Sequence, residues 1–214
     1  MAPCLVLVRH GPTAHRHDRR MVTRDGMLRS REACDRSGIA TDAPPPWVTH
    51  LAAQATHIVA SDLPRAVMSA ELLVPARPVV TSQLLRESPL AIPRWPTRLP
   101  VPVWEGLVHV CWRFRILCGT DQSPAERNRA AAAADWLTAL VAHDGSTALA
   151  VTHGVFRRLL AKQLLARGWA SPERRAGYAP WSAWTFHITR TRLLHFHGSN
   201  VGATSCRITT TASK

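Results

Sequence analysis

The chain opens on an uninterrupted apolar run, Cys4 to Val8, that stops at Arg9-His10-Gly11-Pro12-Thr13. Short, rich in valine and closed by a turn, this run predicts a strand buried on both faces. The same grammar recurs further on. His57 to Ala60 reads as a strand leading into Ser61-Asp62-Leu63-Pro64, and the proline suits the first turn of a helix that continues to about Leu73. Thr147 to Val151 reads as a strand ending on Thr152-His153-Gly154, and Val155 to Arg167 follows as an amphipathic helix with Gly168 beyond its end.

Other segments fill in between. Met27 to Ser37 predicts a short helix, Pro44-Pro45-Pro46 a break and a further helix start, and Pro78 to Thr81 a third strand. Ser123-Pro124-Ala125-Glu126 is a capping box with proline at the first helical position, opening a long alanine-rich helix that reaches about His143. Trp184 to Thr189 and Arg192 to His197 predict a terminal hairpin. Residues 88–122 break the rhythm, with Pro89, Pro93, Pro96, Pro100 and Pro102 among Trp95, Trp104 and Trp112. They read as an insertion with one helix, Val103 to Leu117, serving as a cap. Trp104, Leu107, Val108, Cys111, Trp112 and Leu117 fall at helical spacings and suit a lid or core face.

Strands alternating with helices predict an α/β fold, a three-layer α/β/α sandwich. With 214 residues, one domain is expected over 1–200, and the polar residues 201–214 are expected to form a loose tail. Composition adds a preference for anions. The net charge is +13, and of 27 basic residues only Lys162 and Lys214 are lysines. Arginine suits bidentate phosphate binding, although the same bias arises from base composition alone. The cysteines (Cys4, Cys34, Cys111, Cys118 and Cys206) are odd in number and form no CxxC pair, so neither a disulfide framework nor a zinc site is expected. No apolar run approaches the ~18 residues of a membrane span, and the N-terminus lacks the pattern of a signal peptide. The reading is a cytoplasmic protein with no membrane span, with a homodimer as an open alternative.

In open α/β sheets, ligands bind beyond the C-terminal ends of the strands. Three predicted strands end there on Arg9-His10, on Ser61-Asp62 leading to Arg65, and on Thr152-His153. Two arginines and two histidines at one sheet end make a pocket suited to a phosphoryl group. Val8-Arg9-His10-Gly11-Pro12-Thr13 resembles the RHG signature of the histidine phosphatase superfamily, which includes the cofactor-dependent phosphoglycerate mutases. Ser61-Asp62-Leu63-Pro64-Arg65-Ala66 resembles the second arginine motif of that family, Leu85-Arg86-Glu87 falls where its acid follows, and Thr152-His153-Gly154 matches its second histidine motif. The resemblance spans roughly residues 4–166, in the order and spacing of the family, and implies the phosphoglycerate mutase-like fold.

It also implies roles. His10 would attack phosphorus, while Arg9, Arg65 and His153 would bind the phosphoryl oxygens. Glu87 would protonate the leaving oxygen and then activate water, with a raised pKa supplied by the Trp-rich insertion. Thr13 would add a hydroxyl hydrogen bond. Arg16 stands where many members have asparagine, and is either a further phosphate clamp or a solvent-facing residue. Glu105 and Asp62 are the reserve candidates for the acid.

The expected activity is phosphomonoester hydrolysis without metal or cofactor, on a small-molecule or protein substrate. The alternatives are a mutase-like phosphotransferase and a non-catalytic phosphate or nucleic-acid binding protein; no nucleic-acid motif favours the last. His15 with His17, and His195 with His197, have the spacing of metal ligands but lack a matching partner set, so no metal site is expected.

Overall fold

Alternate residues of the first strand face opposite layers, which explains why its sequence is apolar throughout. In β1 (Cys4–Arg9) Leu5 and Leu7 enter one core, while Val6 and Val8 enter the other. In β6 (Thr147–Thr152) Ala148 and Ala150 share the first core, and Leu149 and Val151 the second. A strand with a helix layer on each side has no polar face to show. The computed structural model describes residues 2–16, 20–40, 43–114, 123–142, 145–170 and 172–188.

The remaining elements, in chain order, are β2 (Met21–Val22), α1 (Arg24–Arg36), α2 (Pro46–Gln54), β3 (His57–Ser61), α3 (Pro64–Leu73), β4 (Val80–Ser82), β5 (Leu99–Pro100), α4 (Val101–Phe114), α5 (Pro124–Ala142), α6 (Gly154–Ala166), β7 (Glu173–Arg175) and β8 (Ala183–His187). The main sheet runs β4-β3-β6-β1-β8-β7, parallel through β4, β3, β6 and β1, and antiparallel where β8 joins β1 and β7 joins β8. Helices α5 and α6 cover one face through Ala133, Leu137, Phe156 and Leu160, and α2 and α3 cover the other through Val48, Ala52, Ala66 and Ala70. This is the expected three-layer α/β/α sandwich. A third apolar cluster joins Met27 of α1, Leu90, Ile92 and Val101, Trp104 and Val108 of α4 to Val155 at the start of α6. Beside it β2 and β5 pair as a separate two-stranded sheet, and the Trp104 indole N–H donates to the Val22 carbonyl at 3.0 Å.

Several boundaries differ from expectation for identifiable reasons. Helix α1 begins at Arg24, inside the basic stretch, because Thr23 caps it and accepts from the Gly26 N–H. Strand β4 starts at Val80, two residues past Pro78, which has no N–H to give a ladder. In the capping box Ser123 accepts from the Glu126 N–H, but the Glu126 carboxylate turns away to Ser88 and Arg129. The strand beginning near Trp184 pairs β1 on one edge and β7 on the other, so its hairpin partner precedes it in the chain. The exposed, charged Glu-Arg-Arg of β7 carries none of the alternation that marks a strand. Arg192 to His197, the tail 201–214 and Leu117 lie outside the described residues.

Candidate active site

Strand register builds the centre of the site. β1 and β6 run parallel with Arg9 opposite Thr152, so the next residues, His10 and His153, leave the sheet side by side. Their ring centroids lie 5.0 Å apart, tilted by 58°. The His10 backbone N–H donates to the Thr152 carbonyl at 3.0 Å and fixes the pair. On the other flank of β6, β3 ends at Ser61, and Pro64 starts α3 one residue before Arg65. Arg65 is buried, and its Nε donates to His10 Nε2 at 3.3 Å. Four residues separated by up to 144 positions in sequence thus meet because three parallel strands end at one level.

The state of His10 follows from its contacts. Nδ1 is 2.7 Å from the Gly11 carbonyl, which can only accept, so Nδ1 carries the proton. Nε2 therefore presents its lone pair toward Arg65. Burial foremost, then the Arg65 guanidinium, push His10 down to about 3 against a partial opposing effect of the Gly11 carbonyl. His10 is thus neutral across the physiological range. His153 is fully buried and also held well below the ordinary histidine range, first by burial and then by His10, Arg65 and Arg9. Neither of its ring nitrogens has a hydrogen-bond partner among the described residues, nor does Arg9 Nε. Buried polar atoms without partners are uncommon, and here they cluster in a cationic pocket.

Arg9 is half-buried and donates to the Tyr178 carbonyl, while its guanidinium lies 3.6 Å from where a Cβ on Gly154 would sit. Burial lowers its pKa, and Glu87 nearby opposes that. The segment carrying Glu87 is clamped from two sides. Thr152 Oγ1 donates to the Leu85 carbonyl at 2.8 Å, and Arg129 of α5 donates to the carbonyls of Leu84 and Arg86. Glu87 sits at the N-terminus of α6. Its Oε1 accepts from the N–H groups of Ser88 (3.0 Å) and Phe156 (2.8 Å), and its Oε2 from that of Val155 (3.3 Å). Its carboxylate thus faces the amide-lined helix end, and Val155 beside it packs in the cluster that holds Trp104 of the insertion. A cleft of about 430 Å³ opens beside it, lined by Ser82, Gln83, Arg86, Glu126 and Arg129 among others.

The remaining candidates stand further out. The Thr13 hydroxyl is used within its own loop: it accepts from the His15 N–H and lies within 3.5 Å of Ser37 Oγ and the Gly38 carbonyl. Arg16 is exposed in the loop beyond Thr13. Asp62 is paired bidentately with Arg86 at 2.7 and 2.6 Å, which holds its carboxyl below the usual range. Glu105 is half-buried on α4. His15 Nε2 contacts Ser30 Oγ at 3.2 Å, and His17, His195 and His197 lie outside the described residues. Among the described residues no group of His, Cys, Asp and Glu is arranged to hold a metal ion, and no helix is long and apolar enough to cross a membrane.

Three contributors carry no signature that singles them out in sequence. Arg157 is fully buried under the site. It donates to the Ser182 carbonyl (2.7 Å) and hydroxyl (2.9 Å) and to the Gly177 carbonyl (3.3 Å), and its guanidinium lies 4.3 Å from the Trp184 ring centroid. Burial pushes it down to about 9, so it remains a cation at neutral pH. Its spacing of four from His153, on the apolar face of α6, was the available signal. Trp181, at φ 65°, packs its ring against Gly11, where a Cβ would come within 2.4 Å of Cζ2. Ser69, one turn after Arg65, accepts from the Gly11 N–H at 2.9 Å and so fixes the turn behind His10.

No family model matches the chain, and no curated protein does. Solved structures do. A protein described as mycobacterial hydrolase 1 superposes with a TM-score of 0.50 at 20% identity, covering 77% of this chain and 79% of that one. Mycobacterial glucosyl-3-phosphoglycerate phosphatase, in complex with VO3, gives 0.50 at 22% identity over 77% and 83%. Phosphoserine phosphatase from Entamoeba histolytica, in complex with phosphoserine, gives 0.49 at 16% over 89% and 99%. The first two share with this chain its phosphoglycerate mutase-like α/β/α sandwich.

Proposed function

We propose that this chain is a phosphomonoester phosphatase that works through a phosphohistidine on His10. The observation that carries the reading is a neutral imidazole with its Nε2 lone pair unprotonated, set among the cations Arg9, Arg65 and Arg157 and beside His153. A neutral imidazole is a competent phosphoryl acceptor, and fixed cations offset the charge that gathers on the equatorial oxygens. A mycobacterial phosphatase of similar fold is described in complex with VO3, a phosphate-like anion.

In this mechanism His10 Nε2 forms a bond to phosphorus as the ester P–O bond breaks. Positive charge that develops on the ring is offset by the Gly11 carbonyl at Nδ1. Arg9, Arg65 and His153 hold the phosphoryl oxygens, with Thr13 and Arg16 in the loop after β1 as further phosphate-binding candidates. Glu87, entering the reaction protonated on an oxygen released from its backbone donor, gives that proton to the departing oxygen, and then takes one from the water that cleaves the N–P bond and releases inorganic phosphate. The charge work is done by side chains of the protein, so activity is expected to survive chelator. The substrate is a small-molecule or protein phosphomonoester.

The test is brief incubation with a labelled aryl phosphate. Acid-labile label on His10, and loss of at least about a hundredfold in turnover in His10→Ala with an unchanged fold, are expected. Label on serine, aspartate or cysteine, or substantial activity in the alanine variant, would overturn the mechanism.

A further inference from the structure

Arg65 has each of its three guanidinium nitrogens engaged within the protein, three of its five N–H groups in all. Its Nε donates to His10 Nε2 at 3.3 Å, its Nη1 to the Cys34 carbonyl at 3.0 Å, and its Nη2 to Asp35 Oδ1 at 3.0 Å. Cys34 and Asp35 lie in the last turn of α1, so the guanidinium doubles as a cap on that helix's C-terminus. Asp35 is an odd residue for such a place. A carboxylate at a helix C-terminus faces the negative end of the dipole and gains nothing from the helix itself. Its only ion-pair partner among the described residues is Arg65. The pair is lopsided, because the Arg65 side chain is 5% exposed and that of Asp35 is 56% exposed.

We propose that Asp35 is an intramolecular stand-in for the phosphoryl group. It occupies Arg65 in the resting state and is displaced when a phosphate anion reaches His10. This rests on the reading of Arg65 as a phosphoryl-binding residue. A phosphoryl group under attack by His10 Nε2 must displace the direct Arg65 Nε contact with that atom, and of the guanidinium edge formed by Nε and Nη2 that would turn to its oxygens, one N–H is held by His10 and one by Asp35. The Cys34 carbonyl is fixed by its helix, whereas the exposed Asp35 carboxylate can turn into water at little cost. Asp35 therefore weakens ground-state binding of phosphate, product phosphate included, and couples occupancy of the site to the end of α1.

The experiment measures inhibition by inorganic phosphate, with nitrophenyl phosphate as substrate, in the wild type, Asp35→Asn and Asp35→Ser, and its direct binding by calorimetry. Both variants should bind phosphate about threefold to tenfold more tightly, the range expected for releasing one partner of a partly exposed ion pair. Asp25→Asn is the control. It removes the same charge from the other end of the same helix, where Asp25 is 76% exposed, and should leave phosphate binding within about twofold. Unchanged or weaker binding in both Asp35 variants would mean that Asp35 merely orients Arg65, and the proposal fails. Equal tightening in Asp25→Asn would reduce the effect to net charge, and the proposal again fails. If the folded wild type and all variants neither bind phosphate nor hydrolyse the ester, the phosphatase reading falls and this inference falls with it.

Discussion

Lowering the pH should destabilise the unliganded protein earlier than its carboxylates alone require, and His10 supplies the amount. In the unfolded chain this histidine titrates near 6.5, whereas in the folded protein burial and Arg65 push it down to about 3. The unfolded state then binds the extra proton, so stability rises with pH: it is fully present above 6.5 and is lost as pH falls toward 3. Each unit of pH in that window costs about 1.4 kcal/mol, so moving from pH 7 to pH 5 removes roughly 2 kcal/mol through His10 alone. His153 is depressed in the same direction and adds to the loss. Against a total stability of about 5–15 kcal/mol, this is a large share. The assay is urea unfolding at pH 7 and pH 5, in buffer free of phosphate and sulfate, of the wild type and His10→Gln. The wild type should lose about 2 kcal/mol more than the variant between the two pH values. Equal losses, within about 0.5 kcal/mol, would refute a neutral, buried His10 and the nucleophile assignment built on it.

Other changes probe the supports of the site. Gly11→Ala drives a Cβ to within 2.4 Å of the buried Trp181 ring and should cost about 1–3 kcal/mol by urea unfolding; a neutral result would mean that the 176–182 loop yields freely. Arg157→Met strips the hydrogen bonds from the Ser182 and Gly177 carbonyls and should destabilise by about 3 kcal/mol in the same assay, with a loss below about 1 kcal/mol ruling out Arg157 as the anchor of that loop. Glu87→Gln should cost about 1–2 kcal/mol in unfolding experiments, because an amide NH2 would face backbone donors at the start of α6. In single-turnover measurements of leaving-group release, the same variant should slow alkyl phosphates about a hundredfold or more beyond nitrophenyl phosphate; equal slowing would leave Glu87 as a helix cap alone.

The sequence by itself determined the parallel strands of the sheet and which residues stand at their ends. Runs such as Leu5 to Val8 and Ala148 to Val151 are apolar because both faces of a central strand are covered, and that requirement is visible residue by residue. Arg9-His10, Arg65 and Thr152-His153 were legible because each stands at the C-terminal end of a strand or within four residues of it, and neighbouring parallel strands end at one level here. What surrounds them was decided in three dimensions. No local pattern says that Glu87 will cap a helix that starts sixty-seven residues later, that Arg157 will lie buried with carbonyls and an aromatic ring for company, or that Asp35 will reach Arg65. Strand β7 was hidden for a related reason: at the sheet edge, backbone pairing with β8 suffices and the side chains stay charged and exposed. Periodicity records which side of an element is buried, but the partner of a polar group depends on long-range packing, which brings that partner within hydrogen-bond range only once the layers have closed.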